Sequence, residues 1–330
     1  MSAVLVTGGA GYVGSHATVA LLEAGYEVVV LDDLSKGHRE AVPEGAELIV
    51  ANILNEERVA QVMQERPFEA VMHFAALSLV GESMSDPWRY FHDNVVGAIH
   101  LIKHAAANGV QKFVLSSTAN LFGEPEAVPI DEGEPLVPGS PYGESKLIIE
   151  RMLTWAEEIH GMRSACLRYF NAAGACPSGV RGEDHDPETH LIPIVLQVAL
   201  GQREGVCIFG DDYATPDGTC VRDYVHVSDL AQAHVLALPA LDKESLRLNL
   251  GTGSGYSVRE VIEVARKITG HPIPATMGPR RPGDPPALVA SSEAIRAKLG
   301  WEPRFPTLED ILRTAWNWHE QHPRGYGSTG

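Results

Sequence analysis

The stretch that decides the fold is Ala3-Val4-Leu5-Val6-Thr7-Gly8-Gly9-Ala10-Gly11-Tyr12-Val13-Gly14. Its first five residues form an apolar run rich in strand formers, and glycines crowd the rest. A helical pattern follows through Leu21, Leu22 and Ala24, and Gly25 closes it. Glu27-Val28-Val29-Val30-Leu31-Asp32 then reads as a second buried strand. Strand, glycine loop, helix and strand within about thirty residues give a glycine motif its meaning. Glycines let the backbone turn tightly against a pyrophosphate, which the free amides and dipole of the helix N-terminus then hold. Asp32 stands 18 residues past Gly14, where a carboxylate accepts from the ribose hydroxyls and repels a 2′-phosphate. That predicts NAD rather than NADP. Asp33 reinforces the negative field, with an exposed acidic turn as the plain alternative.

The alternation continues. Glu47–Ala51 is a third strand, 55–65 a helix, Ala70–Ala76 a fourth strand, and about Pro87 to Asn108 a long helix. Lys112–Thr118 and Ser164–Arg168 supply strands five and six. Repeated units of this kind predict an α/β fold: a Rossmann-type doubly wound parallel sheet with ligands outside its carboxyl ends. Ala75, Thr118 and Tyr169 fall at such ends. Beyond about residue 175 loops lengthen, Pro and Gly cluster, and short helices (191–200, 228–238, 258–269, 307–320) alternate with brief strands. The division expected is 1–175 for the NAD-binding domain, joined by about 220–250, and 176–330 for a smaller mixed α/β C-terminal substrate lobe. Folding would bring Arg222 to the 280–284 segment. The Gly325–Gly330 tail is expected to be mobile.

Composition narrows the function. The 330 residues carry a net charge of −17, which disfavours general nucleic-acid binding but leaves room for a phosphate held by amides and local arginines. No long apolar run spans a membrane, and the start lacks a leader, so a cytoplasmic enzyme is expected. Cys166, Cys176, Cys207 and Cys220 have no Cys-x-x-Cys spacing. Histidine pairs such as His100/His104, and Asp186/His190, have helical spacing but no carboxylate partner at a fixed offset, so no metal is expected.

Tyr142 and Lys146 lie four apart in Pro141-Tyr142-Gly143-Glu144-Ser145-Lys146, on one face of a helix continued by Leu147, Ile148 and Ile149. An ammonium there favours phenolate, which makes the Tyr a base. Alone, such a pair is a solvated helix face; after a dinucleotide loop it is not. With that loop, the chain resembles the extended short-chain dehydrogenases/reductases. Further stretches are similar to one family among them, the UDP-glucose (UDP-galactose) 4-epimerases. They include His73-Phe74-Ala75-Ala76, Ser116–Gly123, Arg168-Tyr169-Phe170-Asn171, Phe209–Tyr213, Asp217–Tyr224 and Arg280–Asp284. The resemblance covers nearly the whole chain.

It implies that Tyr142 takes the proton of the sugar 4-hydroxyl, that Lys146 bonds the nicotinamide ribose and lowers the Tyr pKa, and that Thr118 bonds the 4-oxygen. It places Gly8, Gly11, Tyr12, Val13, Gly14, Asp32, Asn52 and Ile53 on NAD, with Phe74, Ala75, Ala76, Asn94, Ser116 and Tyr169. On the UDP-sugar it places Phe170, Asn171, His190, Leu191, Cys207, Phe209, Arg222, Tyr224, Arg281, Asp284 and Leu288. Arg222 and Arg281 would clamp phosphates, Asp284 would hold the uridine ribose and Phe209 would lie against uracil. Asp223 or Glu183 is the alternative partner for Arg222, and the core the alternative place for Phe209.

Departures from the family pattern carry their own implications. Ser78 replaces a common Lys and removes a cationic contact to NAD. Asn52 replaces an Asp at the adenine amino group, and His190 an Asn at the diphosphate. Leu288 stands where a Tyr can narrow the sugar pocket, which implies room for N-acetylated UDP-sugars. Ala119 and Asn120 follow Thr118 where related dehydratases carry an acid pair, so elimination chemistry lacks its groups. A catalytically silent NAD-binding regulator would lack the Tyr or Lys. By analogy, the helices around 88–108 and 142–160 pair two copies into a homodimer.

Overall fold

The structure, a computed structural model, describes residues 3–281 and 284–327. Pro282 and Gly283 of the Arg280–Asp284 stretch, and the tail from residue 328, lie outside them. The chain opens with β1 (Ala3–Thr7), α1 (Tyr12–Glu23), β2 (Glu27–Asp32), β3 (Ala46–Val50), α2 (Glu56–Glu65) and β4 (Phe68–His73). Next come α3 (Val80–Ser85), α4 (Pro87–Tyr90), α5 (Gly97–Ala107), β5 (Lys112–Ser116), α6 (Pro141–His160) and β6 (Arg163–Tyr169). All five residues of β1 are buried because helices cover both faces of its sheet.

The second half holds β7 (Asn171–Ala173), α7 (Leu191–Ala199), β8 (Val206–Phe209), β9 (Val221–His226), α8 (Val227–Ala240) and β10 (Leu246–Leu250). It ends with β11 (Gly255–Ser257), α9 (Val258–Thr269), β12 (Ala275–Gly278), β13 (Ala287–Leu288), α10 (Glu293–Leu299) and α11 (Leu308–Gln321). The large sheet is parallel, in the order β10-β6-β5-β4-β1-β2-β3. Strand order therefore reverses between β1 and β4, and the crevice outside their carboxyl ends is the natural ligand site. This is the doubly wound Rossmann-type fold that the alternation predicts. One apolar layer joins α2, α5 and α6 to the sheet; the other joins α1 and α8 to the opposite face. Ile295 of α10 and Trp301 enter that second layer too, beyond the 220–250 segment. A smaller sheet, β11-β9-β13 with β7 paired to β9, and the β8–β12 pair lie outside the large one.

Several boundaries differ from the sequence reading for local reasons. The helix expected over 87–108 is broken by a wide turn at Phe91–Val96 with a π-type bond pattern. There Asn94 turns inward to bond Leu77 and Ser145 Oγ, and Gly97, just past the turn, lies so close to Ile53 that a Cβ would sit 2.5 Å from its Cδ1. β4 stops at His73 because the amides of Phe74 and Ala75 both donate to Thr7 O. β5 stops at Ser116, and Thr118 caps a single turn at Ala119–Leu121 instead. Tyr169 is the last residue of β6 rather than the one after it. The expected mobility of the tail does not extend to Tyr326: its ring stacks on His38 at 4.9 Å and its amide donates to Asp184 Oδ2 at 2.8 Å. Among the described residues no helix is long and apolar enough to cross a membrane.

Candidate active site

The glycine loop joins β1 to α1 at the reversal point. Gly8 has φ +75°, and a Cβ on it would stand 2.4 Å from Ala75 N. A Cβ on Gly14 would stand 2.1 Å from Gly8 O. Only glycine fits at either place. Gly11 caps α1 without a side-chain bond, so the first-turn amides of Tyr12, Val13 and Gly14 have no partner within the helix. That is a cradle for an anionic pyrophosphate. Tyr12 contributes its backbone; its hydroxyl donates to Gly174 O at 2.6 Å and ties the loop to β7.

Asp32 ends β2 beside the cradle. Its Oδ2 accepts from Ala10 N and its Oδ1 from Leu34 N, both at 2.9 Å. Burial raises its pKa, and these two amides work against the rise. Each oxygen keeps a lone pair for a ribose hydroxyl. Asn52 Oδ1 accepts from Leu54 N at 2.8 Å and its Nδ2 donates to Asp33 at 2.6 Å, so only the second lone pair remains for an adenine amino group. Ile53 is buried, Phe74 packs on His234, and Ala75 touches the glycine loop through its backbone, with Ala76 half-buried next to it. Asn94 is fully buried and its amide is spent on holding the 77–79 loop to α6. Ser78 is exposed.

Tyr142, Lys146 and Thr118 converge at the carboxyl ends of β5 and β6. Ser140 caps α6 by accepting from Gly143 N, and Pro141 occupies the first turn, where its missing N–H costs nothing. This start aims Tyr142 inward. Asn120 donates to Thr118 Oγ1 twice, at 3.1 Å from its amide and 3.0 Å from Nδ2. Both lone pairs are used, so the Thr118 proton is left to donate, and Tyr142 is its partner. Lys146 Nζ donates to Ser116 O at 2.9 Å, and Ser116 Oγ shares a 2.6 Å bond with Tyr169 OH.

Burial dominates the titration of both groups. Burial pushes the Tyr142 phenol up to about 12, and only the Thr118 bond opposes it. Burial also lowers Lys146, to about 8, against the pull of Cys166 and Glu150. Beneath it lies a group the sequence reading missed. Glu150, one turn beyond Lys146, is forked by Arg168 and accepts from Ser117 Oγ at 2.6 Å.

The small sheet collects the substrate-side residues. Asn171 pairs with Tyr224 across β7 and β9, and Leu288 with Arg222 across β13 and β9. Phe170 packs against the cluster that holds Leu288. Asn171 Nδ2 donates to Asp223 O at 2.9 Å, and Tyr224 is buried. Arg222 ion-pairs with Asp284, and neither Asp223 nor Glu183 is its partner. Asp223 instead accepts from Thr252 and Ala290. Arg281 lies 4.2 Å over the face of Phe209, which is half-buried on β8 rather than in the core, with Cys207 exposed on the same strand. A cleft of about 670 Å³ opens along Arg280, Arg281 and Asp284, a size that suits a nucleotide. His190 caps α7 ahead of Leu191 and turns Nδ1 to Glu183. Burial works against its positive charge, but the Glu183 carboxylate outweighs that and lifts it to about 9.

Comparison with known proteins settles the relationship. Residues 4–251 match the NAD dependent epimerase/dehydratase family. A UDP-glucose 4-epimerase of Halalkalibacterium halodurans is 54% identical over 328 residues, 99% of this chain and 98% of that one. The chain belongs to the UDP-glucose 4-epimerase family. A crystal structure of UDP-glucose 4-epimerase superposes with TM-score 0.97 at 50% identity, covering 99% of this chain and 100% of its own. The Bifidobacterium longum UDP-glucose 4-epimerase, solved in complex with NAD+ and UDP, gives TM-score 0.94 at 38% identity, over 98% and 100%. Membership makes this an NAD-dependent isomerase, and the glycine cradle, the free first-turn amides and Asp32 fit that cofactor.

Against this family background, the residues that escaped the sequence reading are of two kinds. Glu150 stands four residues beyond Lys146 on the same helix and Asn120 two beyond Thr118, so local spacing was their available signal. Glu183, His185 and Glu188 surround His190, and the Glu-x-His-x-x-Glu-x-His spacing in 183–190 was their available signal.

Proposed function

We propose that the protein interconverts UDP-glucose and UDP-galactose by inverting sugar C4 through a transient 4-keto sugar. The observation that carries this reading is the convergence of Tyr142, Thr118 and Lys146 at the carboxyl edge of the sheet, beside a dinucleotide cradle. When bound in the glycine cradle beside Asp32, NAD would supply the hydride acceptor and donor. Tyr142 Oη takes the 4-hydroxyl proton and returns it after the sugar presents its other face. Thr118 donates to the same oxygen and steadies the proton in transit. Lys146, held by Ser116 O, keeps a positive charge near the phenolate. Arg222, Arg281, Asn171 and His190 anchor the diphosphate end, so the sugar turns while the nucleotide stays.

Purified protein given UDP-galactose and no added cofactor tests this. Formation of UDP-glucose, lost in Tyr142→Phe, supports it and shows that NAD copurifies. Conversion only after NAD is added keeps the activity and means weak cofactor retention, with exposed Ser78 the first suspect. No conversion of UDP-galactose with NAD present refutes it. Leu288, buried among Phe122, Ile130 and Phe170, extends the reading to UDP-N-acetylglucosamine. Undetectable turnover at saturating substrate would end that extension.

The same reading makes the protein a cytoplasmic homodimer. Four unpaired thiols fit a reducing compartment. Met84, Trp88, Ile99, Trp155 and Ile159 are exposed on α3, α4, α5 and α6, helices that pack together. Such a set of large apolar side chains marks a contact face.

A further inference from the structure

The loop between β7 and α7 carries Glu183, His185, Glu188 and His190 and folds them onto one point. One ligand atom from each lies within 4.8 Å of every other. His185 Nδ1 stands 3.2 Å from Glu183 Oε1 and 3.8 Å from Glu188 Oε2, while His190 Nδ1 touches Glu183 Oε1 directly. Four ligands at about 2.1 Å from a tetrahedral zinc ion stand about 3.4 Å from one another. The two His185 separations bracket that value.

Burial and charge point the same way. The Glu183 and Glu188 side chains are 4% and 3% exposed. No Lys or Arg forms an ion pair with either among the described residues. Two carboxylates withdrawn from water need opposite charge close by. The oxygens of Glu188 are used unequally. Oε1 accepts from the amides of Thr189 at 2.7 Å and His190 at 2.8 Å. Oε2 has no hydrogen bond among the described residues and faces the His185 ring. An oriented carboxylate with one oxygen held and the other free is how ligating carboxylates are supported. The frame is independently tied: Trp318 Nε1 donates to Glu183 O at 3.2 Å, and Tyr12 packs edge-on against His185 at 6.3 Å.

We propose that Glu183, His185, Glu188 and His190 bind one divalent cation of the zinc class. Two imidazoles with two carboxylates suit zinc, whereas calcium and magnesium prefer all-oxygen sets. Four protein ligands leave no open position, so the ion is structural. It fixes the loop between β7 and α7, which packs on Tyr12 beside the pyrophosphate cradle. The metal-free alternative is a hydrogen-bonded Glu–His network in the same space.

The test uses the full-length NAD-loaded protein, purified without a metal column and dialysed against chelator. Zinc is titrated in competition with a chromophoric chelator, and bound metal is counted by mass spectrometry. The expected result is about one equivalent per chain. A rise in melting temperature of about 4 °C is expected at a hundredfold excess over Kd. Cobalt in the same site should give the intense visible bands of tetrahedral coordination. His185→Ala and Glu188→Gln, each shown folded by retained NAD and unchanged circular dichroism, should both lose the equivalent. No retained metal, or an equivalent that persists in both variants, overturns the proposal. If the variants do not fold, the cobalt spectrum of the unaltered protein decides: weak octahedral bands overturn it.

Discussion

Replacing Glu150 by Gln tests what holds Lys146 in its charged form. Glu150 and Arg168 have side chains 4% and 5% exposed, joined by a fork of 3.1 Å (Nε to Oε1) and 2.6 Å (Nη2 to Oε2). Gln keeps the shape and removes the charge, which leaves a buried guanidinium without its counter-ion. Breaking such a pair costs about 3–5 kcal/mol. A neutral hydrogen bond from Arg168 to the new amide returns about 1 kcal/mol, so a net loss of about 2–4 kcal/mol is expected. Urea unfolding of the NAD-saturated protein measures it as a lower midpoint at unchanged slope. Glu150→Leu combined with Arg168→Met removes both charges and should recover most of the loss. A loss below about 1 kcal/mol in the single variant, or a double variant as unstable as the sum of its parts, would refute the account. The activity profile gives a second reading. Burial lowers Lys146 to about 8, and Glu150 is one of two groups working against that. Without Glu150 the Lys pKa falls further, and the decline of kcat with rising pH, as the ammonium is lost, should begin at lower pH.

Three other outcomes follow from the geometry. Tyr142→Phe should lower kcat by about 10²- to 10⁴-fold with NAD still bound. Because burial raises the phenol, the rate of the unaltered enzyme should climb with pH on its acid side, and that climb should vanish in the variant; a retained climb would assign the base elsewhere. Gly14→Ala puts a Cβ 2.1 Å from Gly8 O and should weaken NAD binding at least about tenfold, read from the 260 nm absorbance of bound cofactor. Trp88, 77% exposed on α4, should carry the contact face, so Trp88→Glu should shift light-scattering mass from dimer to monomer; an unchanged mass would remove this face from the interface.

The large sheet was legible because its signals are local. An apolar run, a glycine turn and a helix repeat in order, and Asp32 falls where the second strand must end. What escaped were effects of burial and of distant partners. The 87–108 segment carries a helical pattern throughout, yet Asn94 is drawn inward by Leu77 and Ser145, residues 17 and 51 positions away. Tyr142 and Lys146 do share a helix face, but the spacing says nothing about solvent. Burial, not the neighbouring charge, sets both of their pKa values. In 183–190, Asp186 has the helical spacing to His190 but is exposed and outside the cluster, whereas Glu183, His185 and Glu188 meet His190 through an irregular loop.

Arg222 and Asp284 show how two roles read separately from sequence become one unit. The carboxylate engages Nη2, Val221 O accepts from Nη1 at 2.7 Å, and the guanidinium is held from two sides. A guanidinium has five donors, so this leaves donors for a phosphate while the plane and reach of the fork are already set. Among the described residues, Asp284 Oδ2 meets only Cys220 Sγ, at 3.6 Å, which leaves it able to accept from a hydroxyl. The ordering entropy of the long Arg side chain is then met on folding rather than on binding, which favours a firmly held nucleotide. Under the proposed reaction, in which the sugar turns over while its nucleotide stays fixed, the pre-set Arg222–Asp284 pair supplies the fixed end.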